Sequence, residues 1–215
     1  MNLSILILQE SDAAALNERI CIRHLGHHIT QIFMTLLPKV NINGSSKIVV
    51  SLGPRGDEDV FDNVLGVTNI FIEDFDFKLF LSLDRLNQDK KLLETLRNAL
   101  IDIATKKGIN EATVEVINST ADSVLETHFQ LETSIKKLAK NSKDKKHKIA
   151  IFRLLNAEVG ESWYCNVQGP TKNKTWMHEV PTFIDRSDFF KSAELHKNNY
   201  KVKNRLGNVV FELTF

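Results

Sequence analysis

Cys21, His24 and His28, with His27 beside them, are the first residues in the chain whose types and spacing suggest chemistry. On a helix, steps of three and four residues bring all three to one face, where a thiolate and two imidazoles could serve as metal ligands. A zinc site also needs a fourth protein ligand or an open water position, and no second cluster adjoins this one. No glutamate is placed as in the His-Glu-x-x-His pattern. The neighbouring apolar stripe gives a simpler reading, with the cysteine packed as a small hydrophobe and the histidines at its border. Metal binding by Cys21, His24 and His28 is therefore the alternative reading, and no cofactor is expected.

Gly53-Pro54-Arg55-Gly56 follows a strand-like run and could let backbone amides approach a phosphate. Its spacing fits neither the P-loop nor the dinucleotide fingerprint. The acidic residues behind it would repel an anion. Those residues, Asp57, Glu58, Asp59 and Asp62, followed by Glu73, Asp74 and Asp76, are the richest charged constellation in the chain. Carboxylates at loops can bind divalent cations or act as acid and base, but the aspartate spacing of a calcium loop is absent. Clustered carboxylates also accelerate and orient the approach of a basic protein, and these seven are the candidate partner-binding residues.

The basic counterpart is Lys136, Lys137, Lys140, Lys143, Lys145, Lys146 and Lys148. Lysines collect backbone phosphates. This run has no arginine and no aromatic ring on which a base could stack, so a solvated surface is expected and nucleic acid is an alternative. Trp163, Tyr164 and Trp176 fall on proposed neighbouring strands, which makes Trp163 and Trp176 a candidate cross-strand core pair. His178 and Glu179 are adjacent, and on a strand adjacent side chains point to opposite faces, so they do not form a base and its orienter. No serine or cysteine sits in a nucleophile elbow, and no Cys-x-x-Cys occurs.

The elements that must position these groups are read from periodicity. The apolar run at residues 5–8 suits a buried strand or the lead-in to a helix. Leu16, Ile20, Leu25, Ile29, Ile32, Phe33 and Leu36 then recur at helical spacing, with Ser11 and Asp12 as cap chemistry and Pro38 as a limit. Gly26 allows this helix to divide in two. Lys47 to Leu52, Val67 to Ile72 and Phe75 to Leu83 read as strands of a small antiparallel meander. The last of them alternates with Phe75, Phe77, Leu79 and Leu81 on one face. A helix is predicted from Asp84 to Gly108, with Leu86, Leu93, Leu96, Leu100 and Ile103 in its stripe. Thr113 to Ile117 suits a short strand or helical turn, and another helix is expected from Ser119 towards Ala139, with Ser119 and Asp122 as a capping box. Beyond the lysines the pattern is strand-like: Lys148 to Leu155, Trp163 to Gln168 and Lys174 to Val180, with a turn at Gly169-Pro170-Thr171-Lys172-Asn173. A short helix at Ser187 to Lys197 and a hairpin of Tyr200 to Lys203 with Val209 to Phe215 close the chain.

The resulting fold class is α+β: an antiparallel sheet with packed helices and a β-rich C-terminal part, organised as one domain over residues 1–215 with a subdomain join at 140–148. The chain has 215 residues, a hydrophobic fraction of 42% and a charged fraction of 26%, enough apolar material for a sizeable core. Its net charge of +1 gives no global field that selects nucleic acid, a membrane or an acidic substrate. The first residues lack a basic leader and a small-residue cleavage site, and the cysteines number only two, so a cytoplasmic location is expected and no membrane partner.

From Ile70 to Gly108, a strand pair ending Phe75-Asp76-Phe77 and Phe80-Leu81-Ser82-Leu83-Asp84 runs into the helix Leu92-Leu93-Glu94-Thr95-Leu96-Arg97-Asn98-Ala99-Leu100. This segment resembles small bacterial immunity proteins that neutralise a co-encoded toxin, as in contact-dependent inhibition systems. The resemblance implies a cytosolic, non-enzymatic binder that blocks a toxin domain, and it carries over no site residue. The alternatives are a small metal- or carboxylate-dependent hydrolase or nuclease, and a nucleic-acid-binding accessory protein using the lysine run.

Overall fold

The computed structural model describes residues 1–14, 16, 20–106, 108, 110–143, 146–168, 173–177 and 189–215. The chain forms two compact units, Met1–Gln130 and Leu131–Phe215, which together mix helices and strands as the α+β class requires.

In the first unit the opening apolar run is strand β1 (Ile5–Glu10), followed by α1 (Ile22–Leu25) and α2 (His27–Leu36). Helix begins at Ile22 rather than Ser11, and Gly26 does divide it. Ser11 caps no helix among the described residues: its hydroxyl is buried and donates to the Pro54 carbonyl at 2.7 Å. The next strands are β2 (Lys47–Leu52), β3 (Phe61–Val64) and β4 (Val67–Ile72), in the sheet order β1-β2-β4-β3. The expected meander is corrected here. β1, β2 and β4 run parallel and only β3 is antiparallel, because helical crossover α1–α2 returns the chain to the same end of the sheet before β2 begins. One face of the sheet carries Leu6, Leu8, Ile48, Val50 and Thr68, all buried, and α1 and α2 pack on β1.

The predicted strand at Phe75 to Leu83 is a helix, α3 (Phe77–Ser82). Asp76 accepts the Leu79 amide at 2.9 Å, and this cap starts the turn that alternation had suggested was extended. The faces change accordingly. Phe80, outside the apolar face expected of a strand, is buried against Phe75 with ring centroids 5.5 Å apart, whereas Leu79 and Leu81 are exposed. Helix α4 (Arg85–Thr105) matches its predicted span, with Asp84 as cap and Gly108 at φ +115° beyond its end, but Leu86, expected in its stripe, is 51% exposed in the first turn. Leu92, Leu96 and Leu100 are fully buried, each worth about 1.5–3 kcal/mol relative to exposure.

Helix α5 (Glu111–Glu126) starts eight residues earlier than expected, capped by Asn110, whose side chain accepts the Thr113 amide at 3.1 Å. Thr113 to Ile117 forms its first half. Ser119 is inside the helix, donating to the Val116 carbonyl, so the capping box is not used. The helix stops well before Ala139 because His128 and Phe129 adopt left-handed backbone, at φ +52° and +56°.

The second unit opens with β5 (Leu131–Ser134), a 3-10 turn at Lys136–Leu138 and β6 (Lys140–Asn141). It continues with β7 (Lys148–Asn156), β8 (Gly160–Gln168), β9 (Asn173–Trp176), β10 (Ser192–His196), β11 (Asn199–Lys203) and β12 (Val209–Thr214). One antiparallel sheet has the order β5-β7-β8-β9 with β6 also paired to β7, and another has the order β10-β11-β12. The helix expected at Ser187 to Lys197 is corrected: Ser192–His196 is a strand that alternates exposed and half-buried positions, and Ser187 lies outside the described residues. The predicted turn at 169–172, and His178 and Glu179, also lie outside them. The lysine stretch 140–148 falls within this unit, where Lys140 and Asn141 pair with Ile149 and Lys148.

Ile149, Ile151, Trp163, Cys165, Tyr200 and Val202 form this unit's core, and the Tyr200 hydroxyl donates to the Leu138 carbonyl at 2.8 Å. Trp163 and Trp176 are not a pair. β8 and β9 oppose Tyr164 to Trp176, so Trp163 enters the core while Trp176 stays exposed on the other face. There Lys174 lies over both the Tyr164 and Trp176 rings. Burial, then the hydrogen bond to Glu132, pushes the Tyr164 phenol up to about 12, and burial raises Tyr200 as well. These are the chain's two tyrosines. A raised folded-state value holds the neutral phenol, so its stabilisation is full below the unfolded value near 10 and is lost as pH rises through the folded one. Native protein at pH 10.5 is expected to show almost no phenolate absorbance at 295 nm, and urea-unfolded protein at the same pH a large one. Equal absorbance would contradict the burial of both rings.

Candidate protein-docking surface

The strand ends and turns after β2 and β4 collect most of the predicted acidic residues. Gly53 leaves β2 with φ +104°, and a Cβ there would lie 3.0 Å from Phe77 and 3.1 Å from Ala14, so only glycine fits this packed exit. Ser11 fixes the next residue through the Pro54 carbonyl. Glu58 then accepts the Asp12 amide at 2.7 Å, and Arg55 Nε donates to the Glu58 carbonyl at 2.6 Å. Asp62 accepts from the Asn43 side chain at 2.7 Å, and the Asn69 side chain donates to the Asp59 carbonyl at 3.3 Å. Glu58 and Asp62 are therefore structural acids as well as surface charges. Asp57 and Asp59 are exposed carboxylates held on an anchored loop.

Beyond this loop the chain becomes edge strand β3, whose apolar side chains turn outward. Val60, Phe61 and Val64 are exposed, and Leu65 in the following turn is 97% exposed. Leu65 and Gly66 both have positive φ, at +51° and +81°, the signature of a type I′ turn, in which a leucine is disfavoured and Asn or Asp is usual. Asn63, also left-handed at +58°, shifts the register between Phe61 and Val64. That irregularity breaks the row of backbone donors an added strand would need, so this edge offers side chains rather than a template for strand pairing. The result is a patch of aliphatic and aromatic anchors with carboxylates at its margin.

Glu73, Asp74 and Asp76 sit in the β4–α3 turn, which leaves the same end of the sheet as the loop after β2. Asp74 and Asp76 line a cavity of about 330 Å³ walled by Phe75, Phe80 and Ala99. Asp102 of α4 faces the same cavity. Sequence reasoning missed Asp102 because it lies far along the chain in a helix whose apolar stripe drew attention. It also missed Phe61, Val64 and Leu65, whose apolar types suggest burial although Asp62 and Asn63 interrupt any alternation. Leu65 beside Gly66 could have signalled an exposed turn.

The alternative metal ligands do not converge. Gly26 breaks the helix between His24 and His28, so the expected common face does not exist. His24 is exposed, whereas His28 is fully buried with Nε2 3.2 Å from Asp89 of α4. Arg85 lies 3.3 Å from Asp89 and donates to the Leu25 carbonyl at 2.7 Å, so His28 belongs to a polar tie between α2 and α4. Burial raises the Cys21 thiol, with Glu10 adding to the effect, which disfavours the thiolate a metal requires. Among the described residues no three His, Cys, Asp or Glu side chains are grouped to hold an ion. The lysines lie on the 3-10 turn, on β6, in the approach to β7 and, for Lys148, at its first residue, with Lys145 outside the described residues. Among the described residues no helix is long and apolar enough to cross a membrane. Compared with family models, curated proteins and solved structures, the chain matches none.

Proposed function

We propose that this chain is a non-enzymatic protein-binding protein, concretely an immunity protein that docks on a basic toxin domain in the cytosol and occludes its active site. The observation that carries the reading is the run from exposed Asp57 and Asp59 on the loop before β3, through outward Phe61 and Val64 on the strand, to exposed Leu65 in the turn after it. Exposed apolar side chains supply the buried centre of an interface, and peripheral charge steers the encounter and selects the partner's sign. The cavity lined by Asp74, Asp76 and Asp102, three carboxylates against the single cation Lys91, suits a lysine or arginine side chain offered by the same partner. Free Cys21 and Cys165 accord with a reducing compartment.

The test begins with affinity capture of the partner from native extract and continues with association kinetics. Asp57→Lys with Asp59→Lys is expected to slow association on the order of tenfold at low salt and to flatten its salt dependence. Wild-type chain at one equivalent is expected to suppress the partner's toxic activity. An unchanged association rate, or a bound partner that stays active, would remove this surface or the occlusion mechanism from the account.

A further inference from the structure

Arg97 of α4 has its Nε buried without a hydrogen-bond partner, and none of the ion pairs among the described residues uses it. Arg97 is half-buried as a residue, so its guanidinium carries a buried Nε with no acceptor and stays within reach of an external one. Arg97 borders a groove of about 460 Å³ between α4 and α5, lined by the apolar side chains of Leu83, Leu93, Ala121 and Leu125. Leu125 is 40% exposed, an outward leucine on a helix whose Ile117, Ala121 and Val124 are buried. Lys90 and Lys91 add positive charge, and the carboxylate on the groove, Glu94, is 3.7 Å from Lys91, leaving Arg97 uncompensated.

We propose that this groove binds an amphipathic carboxylate, a medium-chain fatty-acid anion, independently of the β3 surface. The carboxylate takes the planar fork of Arg97 and the chain lies along Leu93, Ala121 and Leu125. Arginine presents paired N–H donors that match the two carboxylate oxygens, which a lysine cannot do. The volume falls in the range of about 300–1,000 Å³ typical of small-molecule sites. A docked peptide helix is the poorer occupant. It would need apolar anchors over several turns of both helices, and α5 contributes only the single turn from Ala121 to Leu125.

The test is a titration of the methyl-labelled full chain with decanoate, decanol and acetate, followed by NMR. Decanoate is expected to give saturable shifts at Leu93, Ala121 and Leu125 methyls and at Arg97 Nε–H. Decanol should bind at least about tenfold more weakly, and acetate weaker still. Arg97→Gln should reduce decanoate affinity by that same factor and leave decanol unchanged. Leu125→Glu, at an exposed position that tolerates charge, should abolish decanoate shifts and covers the case in which the Arg97 variant fails to fold. Equal binding of decanol and decanoate, acetate binding as tightly as decanoate, undiminished affinity in Arg97→Gln, or shifts confined to other residues would each overturn the proposal.

Discussion

Glu161→Ala is expected to destabilise the second unit by about 3–5 kcal/mol, the cost of leaving one partner of a buried ion pair without the other. Glu161 is fully buried on β8; one carboxylate oxygen accepts from Arg153 at 2.7 Å and the other accepts the Trp163 indole N–H at 2.7 Å. Arg153 lies opposite Trp163 on β7, with its side chain only 11% exposed, so its charge cannot simply hydrate when the carboxylate is removed. Glu161→Gln keeps an acceptor for the indole and should cost less, about 1–3 kcal/mol. Arg153→Met combined with Glu161→Leu should recover much of the loss, because apolar residues of similar volume replace a buried pair well. Urea denaturation with hydrogen exchange of β7 and β8 amides measures this. A loss below about 1 kcal/mol in Glu161→Ala would mean that the pair is more hydrated than its burial indicates.

Leu65→Asn is expected to move stability and binding in opposite directions. Left-handed backbone costs a leucine about 1–2 kcal/mol, and asparagine adopts it more readily. The variant should therefore be about 0.5–1 kcal/mol more stable. Leu65 is 97% exposed and loses no packing on replacement. If it anchors the partner, its truncation costs about 2 kcal/mol or more of binding, roughly 30-fold in affinity. Thermal denaturation and partner titration of one sample separate the effects. A variant that gains stability and binds normally would show that the turn is strained for some other reason.

What could be read from the sequence was set by how local its determinants are. Helix α4 was legible end to end, because a capping aspartate, a continuous leucine stripe and a terminal glycine all act within one turn of the residues they govern. So were β2, β4, β7 and the β11–β12 hairpin. Failures came where two periods overlapped. Phe75, Phe77, Leu79 and Leu81 alternate, but Phe77 and Phe80 are also three apart, and the Asp76 cap decided for helix. Leu131 and Ile135 continued the stripe of α5 in sequence while the left-handed His128 and Phe129 ended it in space. Parallel pairing of β1 with β2 is fixed by a crossover of 36 residues, 11–46, which no local pattern encodes. The acidic residues of the candidate surface were found from composition alone. Their apolar companions at Phe61, Val64 and Leu65 were not, because apolar residues read as core until the edge position of their strand is known.

The central claim, that loop 57–59 and edge strand β3 form the docking surface, is tested most directly by hydrogen exchange of the chain with and without its captured partner. The account predicts slowed exchange across residues 57–65, with a second footprint at 73–82, and little change on β10, β11 and β12. Protection confined to the second unit, or to the α4–α5 groove, with residues 57–65 exchanging as in the free chain, would contradict it.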